Sequence, residues 1–352
     1  MTKRIVIMAG GTGGHVFPAL AVAENLRAKG WTVTWLGTDK GLESRVVPAR
    51  GIEMDKLCVA GVRGKGLIFK IKSVFLLGKA CVQAWQHLRR RQPNVVLGMG
   101  GFVAAPGGLM AKLLGIPLII HDQNQVVGTT NRLLAHFANQ ILQAFPNSFP
   151  AKYNAICTGN PLRADFLNLP EKQAFNGERR LRILVVGGSQ GAQILNQIVP
   201  LALLNLPNVE VKHQTGAAMV AEVTQAYQSL AECAQVIDFI KNITEAYQWA
   251  DCVICRAGAM TVSEVAAAGL PAIFVPLPHA IDDHQTANAR YLTDAGAGVL
   301  IKQADLTVET LTTTIKTMQN QLAQMGRAAK NKARLEATET VAEFCAAEAK
   351  HG

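Results

Sequence analysis

Charged residues occupy only 17% of the 352 positions and aromatics only 6%, while apolar residues reach 49%. So little charge beside so much apolar surface excludes a disordered chain, which needs the reverse balance. The shortage of aromatics removes the rings on which a nucleic-acid surface stacks bases, and no recognition motif is present, so no nucleic-acid partner is expected. Cysteine is sparse as well: seven residues, an odd number without a closely spaced framework. That excludes a disulfide-stapled secreted domain and fits reduced thiols in a cytoplasm. Cys252 and Cys255 form a CxxC, but inside the apolar run Asp251–Cys255. Residues three apart in a strand point to opposite faces, so a buried strand is expected there rather than a metal or redox site. Long unbroken apolar runs are also missing. The sequence passes from Met-Thr-Lys-Arg straight into a short apolar segment, without the core or cleavage site of a signal peptide. Val95–Ala111 is uncharged but carries five glycines and Pro106, too broken for a membrane span. The chain is expected to be soluble, or at most attached to a membrane surface.

What is present is enough length for two domains and an uneven charge. Residues 1–163 hold 20 Lys/Arg against 6 Asp/Glu, a net +14, and residues 164–352 hold 15 against 19, a net −4. The first half should therefore attract something anionic, whether phosphate, nucleic acid or an acidic membrane surface.

The same local pattern occurs twice. Arg4–Gly14 (RIVIMAGGTGG) and Arg182–Gly191 (RILVVGGSQG) each read as a buried strand, a glycine turn and a following helix, over Phe17–Lys29 and Ala192–Leu206. Val95–Phe102 (VVLGMGGF) and Val253–Met260 (VICRAGAM) repeat a strand and glycine turn later in each half. Further strands are expected at Val33–Gly37, Leu118–His121, Val209–His213, Val236–Phe239 and Ala272–Val275. Strands alternating with helices, without hairpin signals, predict an α/β chain of two doubly wound parallel sheets. The Gly-Asn-Pro within Thr158–Arg163 makes a natural hinge. The domains are expected to span 1–160 and 164–337, with an amphipathic closing helix at 338–352 rejoining the first. Ligands sit outside the carboxyl ends of such strands. Two sheets facing each other would bring all four glycine turns to one cleft.

Gly10-Gly-Thr-Gly-Gly-His15 is not the dinucleotide fingerprint, because a glycine would have to stand at Val16. Its glycines either let main-chain N–H groups approach an oxyanion at a helix start or only pack helix against strand. His15 lies at the mouth of that turn. The positive end of a helix favours neutral imidazole, which can accept a proton. His15 is thus a candidate general base, with a turn-capping histidine as the other reading. Ser189, in Gly187–Gly191, offers a hydroxyl beside exposed amides. Arg256-Ala-Gly-Ala-Met-Thr-Val-Ser-Glu264 reads as a strand end, a glycine turn and a helix starting near Ala259–Thr261 and stopping at Gly269 before Pro271. Its first amides and Thr261 suit a diphosphate, and Glu264 can accept both hydroxyls of a ribose. Asp282-Asp-His-Gln285 with Asn288 suits sugar hydroxyls. Adjacent residues of an irregular loop do not specify metal-ligand geometry, so no metal and no cofactor is expected. Asp122-Gln-Asn124 follows a strand end, and Arg163 at the hinge can reach a phosphate.

Leu67–Leu88 differs in kind. Leu67, Ile71, Val74, Phe75, Val82, Trp85 and Leu88 follow helical spacing, and Ile68, Phe69, Leu76 and Leu77 widen the apolar surface. Lys65, Lys70, Lys72, Lys79 and Arg89–Arg91 border it. Apolar residues flanked by cations suit an anionic membrane interface, whereas a crossover helix buried on its sheet explains the apolar residues alone. Different faces can serve both.

Seven segments, taken together and in order, resemble the MurG family, the bacterial N-acetylglucosaminyltransferases that complete lipid II. They are Gly10–Pro18, Gly98–Phe102, Asp122–Asn124, Gly159–Arg163, Gly187–Ala192, Arg256–Glu264 and His284–Ala289. The resemblance covers essentially the whole chain. It implies a GT-B fold, UDP-N-acetylglucosamine as donor, and lipid I (undecaprenyl-pyrophosphoryl-N-acetylmuramoyl-pentapeptide) as acceptor. It also implies inversion to a β-1,4 product, and peripheral attachment to the cytoplasmic face of the inner membrane. By the same resemblance Thr12, Gly13 and Gly14 line the cleft, Asn124 and Gln285 contact the sugar, and Arg163 and Ser189 lie near the diphosphate. The Ile240 main chain would read the uracil, and Ala259, Met260, Thr261, Val262, Ser263 and Glu264 would hold phosphate and ribose. Leu67, Ile68, Phe69, Lys70, Ile71, Lys72, Phe75 and Trp85 would meet the membrane. Position 122 is Asp where many relatives have Glu, one methylene shorter.

Overall fold

A computed structural model describes residues 2–59, 67–187, 192–278 and 281–351, and their side chains apart from those of 67–74, 281, 350 and 351. The chain divides into two units, Met1–Arg163 with Leu335–Gly352, and Ala164–Arg334.

In the first unit, seven strands pair in parallel: β1 (Arg4–Met8), β2 (Thr32–Gly37), β3 (Glu53–Lys56), β4 (Val95–Gly98), β5 (Leu118–Asp122), β6 (Gln140–Gln143) and β7 (Ile156–Cys157). Their order is β3-β2-β1-β4-β5-β6-β7. The strands are apolar on both faces because helices cover both. Alternate residues of β1 show this directly. Ile5 and Ile7 join a core with Ala19, Leu26 and, from the closing helix Ala337–His351, Val341 and Cys345. Val6 and Met8 join the opposite core with Ala84, Leu88, Met110 and Leu134.

In the second unit, six strands pair in parallel: β8 (Leu181–Val186), β9 (Val209–Gln214), β10 (Ala234–Ile237), β11 (Cys252–Cys255), β12 (Ala272–Phe274) and β13 (Gly298–Leu300). Their order is β10-β9-β8-β11-β12-β13. Each sheet reverses direction of growth once, between β1 and β4 and between β8 and β11. Those two crevices are where this topology places ligands.

Some boundaries differ from expectation. The helix expected from Phe17 begins at Gly13 and runs to Ala28 with Pro18 inside it. Glycine costs least at a helix start, where the first amides lack intrahelical partners anyway. The Thr12 carbonyl accepts from the N–H of His15 at 3.1 Å and of Val16 at 3.2 Å, which places His15 in the first turn. The strand expected at Val236–Phe239 lies two residues earlier, in register with β9 from Ala234 to Ile237. Cys252 and Cys255 are both fully buried in β11, and burial pushes both thiols up, which suits packing rather than redox chemistry. Among the described residues no helix is long and apolar enough to cross a membrane.

Candidate active site

The crevice of the first unit is built from glycines that touch each other. Gly101 has φ +81°, and a Cβ there would lie 2.3 Å from the Gly10 carbonyl oxygen. Gly100 has φ +96°, and a Cβ there would lie 2.9 Å from the His15 ring. Only glycine allows both the positive φ and the approach. The turn after β4 thus packs directly on the turn after β1 and on His15. Beneath them sits Glu43, a fully buried carboxylate. Its Oε2 accepts from the Gly11 N–H at 3.0 Å, and its Oε1 accepts from the Thr38 N–H at 3.0 Å and the Thr38 hydroxyl at 2.7 Å. A buried polar group is tolerated where hydrogen bonds replace its water. Here those bonds tie the β1 glycine turn to the end of β2.

His15 is half-buried, and its Nδ1 lies 2.6 Å from Gln123 Oε1. Gln123 Nε2 lies 3.1 Å from His121 Nδ1 and donates to the His121 carbonyl oxygen at 3.0 Å. His121 Nε2 lies 2.9 Å from the Gly159 carbonyl oxygen. His121 and Gln123 are both buried, and burial holds the His121 imidazole down to about 4, so its ring is neutral near pH 7.

Asp122, the last residue of β5, is buried. Its Oδ1 accepts from the Asn124 N–H at 3.0 Å, and its Oδ2 accepts from the Gly128 N–H and the Asn131 amide, each at 3.0 Å. It shapes the loop that carries Asn124, itself half-buried. Thr12 is exposed and Gly13 and Gly14 half-buried, all at the start of the same helix.

In the second unit the helix Ala259–Ala268 starts after Gly258 and ends at Gly269 in the left-handed region, φ 59°, as its sequence predicts. Ala259 and Val262 turn their side chains into the core, so any ligand contact they make falls on the main chain. Met260, Thr261, Ser263 and Glu264 are half-buried, and the Ser263 hydroxyl donates to the Ala259 carbonyl at 3.0 Å. Glu264 lies in the second turn, where the Tyr247 hydroxyl donates to Oε2 at 3.3 Å. Arg256, at the end of β11, binds the carbonyls of Val275 and Pro276 and, at 2.8 Å, Gln303 Oε1. It braces the chain after β12, and there the Leu277 N–H donates at 3.0 Å to Oε1 of Gln285, in the first turn of the helix His284–Thr293. The Ile240 N–H donates to Gln214 Oε1 at 3.0 Å. Arg163 is half-buried and ends the first unit. Ser189 lies outside the described residues.

The helix Leu67–Arg91 has two faces. Ala80, Ala84 and Leu88 are buried, whereas Phe75 is 74%, Val82 56% and Trp85 38% exposed. Leu88 therefore belongs to the core, and Phe75, Val82 and Trp85 face outward. The helix packs beside Ala104–Leu113, which in turn packs beside Thr129–Leu134, and these add exposed Leu113, at 70%, and Leu133. The contacts expected of Leu67, Ile68, Phe69, Lys70, Ile71 and Lys72 concern side chains outside those described.

Residue reading missed Glu43 and the roles of Gln123 and His121. Glu43 is one of only six acidic residues in the first 163, which was its one visible signal. His121 reads as the last residue of an apolar strand.

Comparison with known proteins agrees with this layout. Residues 5–143 match the glycosyltransferase family 28 N-terminal domain, and residues 182–344 match the C-terminal domain of the same family. The chain is 57% identical to the UDP-N-acetylglucosamine--N-acetylmuramyl-(pentapeptide) pyrophosphoryl-undecaprenol N-acetylglucosamine transferase of Methylococcus capsulatus, over 99% of both chains. It is 49% identical to the transferase of that name from Tolumonas auensis, again over 99% of both. The crystal structure of Acinetobacter baumannii MurG matches with a TM-score of 0.87 at 40% identity, covering 98% of this chain and 99% of that one. Two Rossmann-like parallel-sheet domains of this kind make the GT-B fold. The chain belongs to glycosyltransferase family 28.

Proposed function

We propose that this protein moves N-acetylglucosamine from UDP-N-acetylglucosamine to the 4-hydroxyl of the N-acetylmuramoyl residue of lipid I, giving lipid II for peptidoglycan synthesis. The names of its full-length relatives support the donor and acceptor. The geometry around His15 supports the chemistry and is the observation that carries the reading. His15 takes the proton as the acceptor oxygen attacks the anomeric carbon. The new C–O bond forms, the bond to UDP breaks, and the configuration inverts. Charge gathers on the departing diphosphate. The first amides of the helix Ala259–Ala268, with Arg163 and Ser189, stabilise it, as preorganised donors at a helix start do. Glu264 accepts the ribose hydroxyls, the Ile240 main chain reads the uracil, and Asn124 and Gln285 hold the sugar. Thr12, Gly13 and Gly14 form the floor beside the acceptor.

A lipid-linked acceptor requires the first unit to sit at a membrane. The outward Phe75, Val82, Trp85, Leu113 and Leu133 supply apolar contact, and the net +14 of residues 1–163 supplies attraction to anionic headgroups. The protein then works peripherally on the cytoplasmic face of the inner membrane.

The test measures UDP release with and without lipid I. UDP that forms only with lipid I, together with an N-acetylglucosamine-bearing lipid, supports the function. Equal release without acceptor sinks it. His15→Ala should lose about 10²- to 10⁴-fold in kcat at saturating acceptor, and near-normal turnover removes the base assignment.

A further inference from the structure

The hydrogen bonds behind His15 have a direction, and two carbonyl groups set it. The Gly159 oxygen can only accept, so His121 Nε2, at 2.9 Å, must carry a proton and donate it. The neutral His121 ring then has a bare lone pair on Nδ1. That nitrogen can only accept, and the group 3.1 Å away is the Gln123 amide. The His121 carbonyl, 3.0 Å from the same amide nitrogen, can only accept as well. Turning the Gln123 amide over would set its oxygen against a lone pair and a carbonyl at once. Its NH₂ must therefore face His121 and its oxygen must face His15. An amide oxygen accepts, so His15 Nδ1, at 2.6 Å, carries the proton. Gln123 and His121 are both buried, so water does not compete for these groups.

We propose that Gln123 and His121 are positioning residues that hold His15 in its Nδ1–H tautomer, leaving Nε2 as the ring atom that takes the acceptor's proton. The proposal rests on His15 being the base. Free histidine prefers the opposite tautomer, with the proton on Nε2, and in that form the basic nitrogen faces inward. Among the described residues Nε2 of His15 makes no hydrogen bond, so its lone pair is not engaged. The partner is a neutral amide. A carboxylate opposite Nδ1 would set the same tautomer but would also favour the charged ring. The amide sets the tautomer without adding charge, and the first turn of the helix Gly13–Ala28 opposes a retained positive charge.

The experiment uses the full chain labelled with ¹⁵N in its histidine rings. Long-range ¹H–¹⁵N spectra distinguish a protonated from an unprotonated ring nitrogen. In the wild type, His15 should show Nδ1 protonated and Nε2 bare. In Gln123→Met it should move toward the Nε2–H form, and kcat should fall on the order of tenfold to a hundredfold. KM for both substrates should stay within about twofold, the split expected when only the transition state loses support. A wild-type His15 protonated on Nε2 overturns the proposal, and that spectrum decides even if Gln123→Met fails to fold. A Gln123→Met protein with unchanged tautomer and kcat overturns it as well. Near-normal turnover of His15→Ala beside the expected tautomer overturns the base reading instead, and with it the catalytic purpose of the positioning.

Discussion

The two units share the order of six strands, to which the first adds β7, and differ in what fills the crevice at the reversal. In the first, side chains do the work. A buried carboxylate, Glu43, pins the β1 turn, and a chain of side chains from Gly159 through His121 and Gln123 reaches His15. In the second, the main chain dominates. The crevice beside β11 presents the start of the helix Ala259–Ala268, and two of the first four residues there are buried packing groups. A group that must take a proton has to be a side chain of a definite tautomer. A group that must hold a diphosphate can be built from amides that any residue supplies. The same scaffold thus accommodates either requirement, and the charge difference between the halves follows the same division.

Both units bury one histidine at a strand end, and acid should separate them most strongly. Burial holds His121 of β5 down to about 4 and His213 of β9 down to about 3. His213 is further enclosed by the Tyr227 hydroxyl and Asn196 Oδ1, each at 3.1 Å. Both values lie below that of an unfolded histidine, so the unfolded chain takes up protons first as pH falls. The stability these neutral rings contribute is present above about pH 6.5 and lost as pH falls through the folded values. The loss should be about 3 kcal/mol in each unit by pH 4, and the two should part only below that, where the second reaches about 5. Urea unfolding between pH 7 and 3, followed by hydrogen exchange in peptides covering β5 and β9, measures it. A flat profile, or greater acid sensitivity in β5 than in β9, would break the comparison.

The mid-sized effect concerns the pinning carboxylate. Glu43→Ala leaves the N–H groups of exposed Gly11 and half-buried Thr38, and the Thr38 hydroxyl, without their acceptor, at about 1 kcal/mol each. Urea unfolding of the first unit should register a loss of about 2–5 kcal/mol, and Glu43→Gln, which retains one acceptor oxygen, should lose less. The second unit should unfold unchanged. Equal loss in both units, or none in either, would remove the idea that the first crevice is held by side chains.

How far these features could be read from residues alone follows the same physical line. The strands β1, β4, β8 and β11 announce themselves because a parallel strand covered on both faces is a short apolar run. The strand β3 does not, since Glu53-Met-Asp-Lys56 is charged. It is held at the sheet edge by pairing with β2 and by the ion pair from Arg91 to Asp55 at 2.8 Å. The two-residue β7 and three-residue β13 are too short for any periodicity to show. His15 is legible because its turn is. Gln123 lies 108 residues away, and the direction of its amide depends on two carbonyls that only the folded chain brings near. Leu88 and Trp85 share an apolar spacing on one helix, but which of them is covered depends on where the sheet lies.

The smallest expected effect lies on the donor side. The Tyr247 hydroxyl donates to Glu264 Oε2 at 3.3 Å, a long bond to a half-buried carboxylate. If the second crevice relies mainly on main-chain donors, removing this support should matter little. Tyr247→Phe should keep the ring, which packs on Phe166 with centroids 6.0 Å apart, and so should keep the fold. It should weaken UDP-N-acetylglucosamine binding by no more than about 1 kcal/mol, roughly fivefold in KM, with kcat unchanged. In its proposed role Glu264 would then accept ribose hydroxyls with one fewer constraint on its rotamer, and binding alone should suffer. A fall in kcat of tenfold or more in Tyr247→Phe would show that the second unit, too, depends on a positioned side chain for the chemical step. The contrast between side-chain and main-chain crevices would then be one of degree.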